Sequence, residues 1–196
     1  MKKQVIQFIF CFIIIIIIFI FPAESSSLPD SSVKNNIIGL GSGISISYDF
    51  IVFKGFSLGF STGLPILWGL PEAAPFSTIR YDLRGLYKIS SSNELNLSLI
   101  SGIWGDYSLF SNGRYAPLGF EGGIGLSYKF TEDIKLRFNL VAGISIIKTL
   151  VNKQVNFGLF APSSGIELEY KLLRSTYTTF GINGQGDIFG LKVVFN

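Results

Sequence analysis

Apolar residues alternate with small or polar ones along most of the chain, from about Asn36 to the C-terminus. A period of two is the signature of a strand whose side chains point to two different faces. The pattern predicts eight strands, near Asn36 to Ile51, Phe56 to Ile66, Phe76 to Ile89, Leu95 to Tyr107, Leu118 to Phe130, Ile134 to Ile147, Gly165 to Leu172 and Tyr177 to Phe195. Most are long enough to cross a bilayer when tilted, which takes about 9–11 residues.

The two faces differ in chemistry. In the first segment Ile38, Leu40, Ile44, Ile46, Tyr48 and Phe50 share one side, opposed to Gly39, Gly41, Gly43, Ser45, Ser47 and Asp49. The small-residue face also collects the charges: Arg80, Asp82, Arg84 and Lys88, then Asp106, Glu121 and Lys129, then Lys135 and Arg137, then Glu167, Glu169 and Lys171, and finally Lys192. A soluble barrel shows the same alternation with its apolar side inward. The interior of an eight-stranded barrel, however, is only just wide enough for its own side chains. The Phe, Tyr, Leu and Ile of all eight segments would overfill it, whereas Gly, Ser and a few charges fit. The expected arrangement is therefore apolar outside and charged inside, with Arg80, Asp82, Arg84, Glu121, Lys129, Lys135, Arg137, Glu167, Glu169, Lys171 and Lys192 as structural interior charges.

The first residues bear on compartment. Lys2 and Lys3 precede an apolar run from Val5 to Phe21, then Pro22 and a Ser-rich stretch, the layout of a secretory signal peptide with cleavage placed after Ser25. The rival reading is an uncleaved anchor, since the run is long enough to span a bilayer. Cleavage at that point divides the chain into a leader (1–25), a short flexible segment (26–35) and a barrel domain (36–196). It also removes Cys11, the only cysteine, so packing and hydrogen bonds must stabilise what remains. Without Lys2, Lys3 and Glu24 the sixteen basic and thirteen acidic residues come close to balance, which gives no electrostatic case for nucleic acid.

Tyr48, Phe50, Tyr87, Tyr128, Phe130 and Tyr170 fall beside short turns, where a transmembrane barrel carries aromatic girdles. With its leader, amphipathic strands and final Phe189, Leu191, Val193 and Phe195, the chain resembles the small bacterial outer-membrane barrels of the OmpA and OmpX type. That resemblance implies an antiparallel up-and-down barrel, contact with outer-membrane lipid, and recognition of the C-terminal strand by the barrel-assembly machinery. Asn196 after the last aromatic departs from that terminal signal. The loops depart further. With both termini in the periplasm, the external connections should be the long ones, yet on an eight-strand count they are the short ones around Lys54-Gly55, Ser90 to Asn93, Thr131 to Asp133 and Arg174-Ser175. Either the long connections face the periplasm or the count is wrong. A parity switch between Phe180, Ile182 and Phe189 points to a bulge or hairpin at Gly184-Gln185-Gly186.

The sequence nominates no chemistry. It holds no histidine, which the lipid-modifying and peptide-cutting barrel enzymes of this resemblance use in catalysis. The glycines of Gly39-Leu40-Gly41-Ser42-Gly43 alternate within a strand and do not open onto a helix, as a phosphate loop requires. No metal-ligand spacing is present, and neither a catalytic nor a cofactor site is expected. The reading is a monomeric, non-enzymatic outer-membrane barrel with a structural or surface-interaction role. The alternatives are a narrow pore or small-solute transporter, and a soluble periplasmic lipocalin-like barrel carrying an apolar ligand.

Overall fold

The computed structural model describes residues 29, 36–42, 44–64, 78–109, 115–148, 153–158 and 161–195. The leader proposed for 1–25 and most of 26–35 lie outside them, as do Trp68, Leu70 and Phe110 of the long connections. Among the described residues there are eleven strands and no helix: β1 (Asn36–Gly41), β2 (Ser45–Phe53), β3 (Phe56–Gly63), β4 (Thr78–Ser91), β5 (Leu95–Ser108), β6 (Tyr115–Lys129), β7 (Ile134–Lys148), β8 (Lys153–Gly158), β9 (Gly165–Lys171), β10 (Thr176–Asn183) and β11 (Phe189–Phe195).

Strands consecutive in sequence pair antiparallel, except β8 with β9, and β1 pairs with β11 to close the sheet into a barrel. β8 and β9 lie one after the other along the same edge of β7. β8 pairs from Lys148–Lys153 to Gly143–Gly158, and β9 from Asn139–Gly165 to Ile134–Tyr170. They share one position in the wall, so the barrel has ten strands, not eight. Two segments read as single strands account for the difference, and a third misreading hides β8 without changing the count. The segment Asn36 to Ile51 is two strands joined through Ser42 and Ile44, with Gly41 paired to Ser45. The segment Tyr177 to Phe195 is likewise a hairpin, β10 and β11, with Phe180 paired to Phe189. The stretch Lys148 to Ser164, read as a loop, contains β8.

The extra hairpin near the N-terminus removes the conflict over the loops. The start of β1 at Asn36 and the end of β11 at Phe195 lie at one end of the barrel, called the terminal end, together with the short turns 54–55, 92–94, 130–133 and 172–175. The long connections 64–77 and 109–114 leave from the opposite end, which is called the loop end below. Gly55 (φ 88°) supplies the left-handed residue of the two-residue turn between Phe53 and Phe56.

Side-chain direction follows the alternation. Ile38, Leu40, Phe60, Leu83, Ile103, Phe120, Leu140, Ile144, Leu168 and Phe180 are exposed on the outer wall, while Ser47, Ser61, Asp82, Arg84, Ser98, Arg137, Glu169 and Lys192 are buried inside. Among the described residues the interior is not wholly polar. Leu86, Ile100, Val141 and Ala161 form a small apolar cluster, to which the strands β4 to β7 contribute three members.

Candidate functional site

The interior is the one part of the described structure where charge, burial and specific geometry coincide. Its rows alternate charge and glycine. Stepping across the sheet by residue partners, Glu121 meets Gly102, then Arg84, then Gly59, then Asp49. A long charged side chain lying across the lumen takes the space of its neighbour, so the neighbour must lack one. A Cβ at Gly59 would lie 1.8 Å from Asp49 Oδ1 and 3.1 Å from Arg84 Nε, and one at Gly102 would lie 3.0 Å from Glu121 Oε1. Gly59→Ala is therefore expected to push Asp49 off Arg84 and lower stability by about 1–3 kcal/mol. Gly122→Ala points outward into open space and should change little, because its nearest contact is Ile100 O at 3.9 Å. Urea unfolding of the two variants in detergent, compared with wild type, makes the check.

The ion pairs form three groups. Towards the loop end Arg80 binds Asp106 through Nε (2.6 Å) and Nη2 (2.9 Å), stacks over Trp104 at 5.7 Å, and donates from Nη1 to the carbonyl of Gly184. The Trp104 indole sits against two glycines, Gly119 and Gly143, where a Cβ would come within 2.6 Å and 3.2 Å of it. At mid-height Arg84 joins Asp82 (2.5 Å) to Asp49 (3.0 Å). Towards the termini Arg137 pairs with Glu167 (2.6 Å), while Glu169 takes Lys192 (2.6 Å) and Lys135 (3.0 Å). Nearer the rim, Lys129 pairs with exposed Glu132 (2.6 Å) and Lys171 reaches Asp133 at 4.0 Å. The Lys129 contact holds the Glu132 carboxyl below its ordinary pKa. All eleven charges nominated from the sequence thus line the lumen or its mouth, but Lys129 and Lys171 stand partly in solvent.

Two chain segments turn into the lumen. Ala161 to Ser164 are buried between β8 and β9, with Glu121 accepting from Ser163 N (3.1 Å) and from its hydroxyl. Gly184 to Asp187 are buried between β10 and β11. There Gln185 Nε2 donates to Ser61 Oγ (2.6 Å), Ser45 Oγ donates to Asp187 (2.9 Å), and Asn183 Oδ1 accepts from the N–H groups of Gln185 and Asp187. The segments bond to each other through Gly184 N and Ser164 O (2.7 Å). The N-terminal side contributes as well, since buried Pro29 accepts from Asn139 Nδ2 (3.2 Å). Below this plug, a polar vestibule of about 470 Å³ reaches the terminal end, lined by Lys88, Asn96, Ser127, Lys135, Glu169 and Tyr177 among others.

Ser61, Gln185, Ser163, Asn139 and Trp104 were missed in the sequence. Two of them sit in stretches read as a turn or loop, and uncharged polar residues on a strand give no signal of their partners. Fold and interior together define a closed, ten-stranded antiparallel barrel with a polar, plugged lumen and an apolar outer wall. No protein-family model matches this chain, and comparison with curated proteins finds no match.

Proposed function

We propose that the protein is an integral, non-catalytic outer-membrane barrel. In this reading the plugged wall is a rigid platform for the connections at the loop end, which serve envelope integrity or surface interaction. One observation carries it: where the side chains of the strands are described, the outward rows carry mainly Ile, Leu, Phe and Tyr and no charge, while the ion pairs lie within or at the mouth. Water as the outer solvent would leave an apolar surface far larger than a soluble monomer ordinarily exposes. A lipocalin-like carrier would require the reverse, an apolar lumen. Lipid is then the main partner of the wall, the protein is monomeric, and β11 with Phe189 and Phe195 is the segment offered to the assembly machinery. The even strand number, short turns beside the termini and long connections opposite agree with that placement, the long connections facing outward. The pore reading has the vestibule in its favour, but the two inward segments turn into the lumen above it and bond to each other across it.

The test is fractionation of cells expressing the chain with a tag in the 64–77 connection. The protein is expected in the outer-membrane fraction, resisting alkaline carbonate, with a faster gel band when unboiled. Release by carbonate and a mobility indifferent to heating would sink the membrane reading.

A further inference from the structure

Among the described residues, the mid-lumen holds more carboxylates than cations. Arg80 is matched by Asp106. Arg84 is the one cation in hydrogen-bond contact with the next three: it bonds Asp49 and Asp82, and across Gly102 lies Glu121, which accepts only from the N–H and hydroxyl of Ser163, while Arg80, Arg137 and Lys192 act on these carboxylates only through space. All three carboxylates are buried, in a barrel read above as surrounded by lipid, so uncompensated charge is costly there.

A second observation points to what compensates it. Two oxygens in this region, Asp82 Oδ1 and Gln185 Oε1, are buried and accept no hydrogen bond. Both side chains hang on one hydroxyl: Gln185 Nε2 donates to Ser61 Oγ at 2.6 Å, and Ser61 Oγ donates to Asp82 Oδ2 at 3.3 Å. Arg84 occupies the Oδ2 side of Asp82 and leaves Oδ1 for another partner. A neutral water would satisfy the bare oxygens and leave the charge excess untouched. Oxygen donors of this kind, one anionic and one amide, are those that hard cations take.

We propose that the lumen binds one hard metal cation between Asp82 Oδ1 and Gln185 Oε1. No three acidic, His or Cys side chains among the described residues converge into a protein cage, so the ion keeps much of its hydration shell. Its waters donate to the neighbouring carboxylates. Gln185 belongs to the inward segment between β10 and β11, so the ion also ties the plug to the wall.

The experiment is heat conversion of the full, detergent-folded barrel at constant ionic strength, replacing choline chloride by sodium, potassium, magnesium or calcium chloride. At least one metal should raise the midpoint saturably, by about 5–10 °C at a hundred times its dissociation constant. Asp82→Asn and Gln185→Leu should abolish that rise, and the rim variant Asp133→Asn should keep it. Gln185→Glu adds a carboxylate and should lower the half-saturating concentration by about tenfold. A midpoint indifferent to metals overturns the proposal, as does a metal response that survives Gln185→Leu. If Gln185→Leu does not fold, an unchanged half-saturation in Gln185→Glu overturns it instead. A midpoint that ignores metals but climbs as pH falls would assign the compensation to protons and overturn it equally. Carbonate release bears on the membrane reading alone and leaves this test standing.

Discussion

Arg84→Met is expected to be among the most damaging single substitutions in the barrel, lowering unfolding free energy by about 3–5 kcal/mol. The Arg84 side chain is wholly buried and reaches Asp82 Oδ2 at 2.5 Å, both oxygens of Asp49 at 3.0 and 3.2 Å, and Ser61 Oγ at 3.2 Å. The attraction of the pairs does not set the size of the loss. Most of it comes from the two carboxylates stranded without their shared cation, because a buried charge with no partner keeps its desolvation cost and loses its compensation. Two further variants separate these terms. Arg84→Lys keeps the charge but loses the planar fork that serves two carboxylates at once, and should fall between wild type and Arg84→Met. The triple variant Asp49→Asn, Asp82→Asn, Arg84→Met removes all three charges and should recover much of the loss, a non-additivity that a mutant cycle reads directly. Urea unfolding in detergent micelles, followed by tryptophan fluorescence, supplies the numbers. A near-neutral Arg84→Met would mean that lumen water solvates these carboxylates freely, so that the network contributes little to stability.

The strand count and the ion-pair partners differ in how far they could be read ahead. Alternation places side chains on faces, and it does so for any strand, so the inward row Arg80, Asp82, Arg84 beside outward Ile79, Tyr81, Leu83 was legible from the sequence. Hairpins are another matter. Across an antiparallel turn that pairs residues of equal parity, such as Gly41 with Ser45, the apolar face continues on the same parity and alternation runs through unbroken. The β1–β2 turn also holds Ile44 in a left-handed conformation (φ 50°), which no turn rule would assign to a β-branched residue. Ser42, which interrupts the apolar row from Ile38 to Phe50, was the available clue. The β10–β11 hairpin pairs Phe180 with Phe189, of opposite parity, and showed itself as a switch. Missing the first of these two hairpins put every later connection on the wrong side.

Partnering within the lumen was out of reach for a different reason. Arg84 meets Asp49 from 35 residues away, Arg137 meets Glu167 from 30, and Gln185 meets Ser61 from 124. Which pairs form depends on the register around the whole ring and on two inward segments that the pattern of faces does not describe. The glycines were visible as small residues, and their purpose, to leave room for the charge next door, needs the cross-strand neighbour to be known.

Leu83→Arg should separate a wall in lipid from a wall in water. Leu83 is 52% exposed and lies between Phe60 and Ile103 in an outward row that continues to Tyr48 on one side and Phe120 and Ile144 on the other. In water an exposed Leu→Arg far from any special contact changes stability by within about 0.5 kcal/mol. In a bilayer the guanidinium must be drawn into hydrocarbon or snorkel out of it, and near the midplane that costs about 2–4 kcal/mol. Leu95 offers the internal control. It is comparably exposed, at 46%, but opens β5 directly after the short 92–94 turn, where lipid headgroups and water begin in this reading. Leu95→Arg should then cost no more than about 1 kcal/mol. Both substitutions point away from the lumen, so neither disturbs Arg84 or its partners, and any difference between them reports depth alone. Folding into lipid vesicles, with unfolding in guanidinium, measures both. Equal and small costs at the two positions would place the apolar wall outside a membrane and return the question to what else covers it, whereas a large cost at Leu83 with a small one at Leu95 fixes the bilayer around the middle of the barrel.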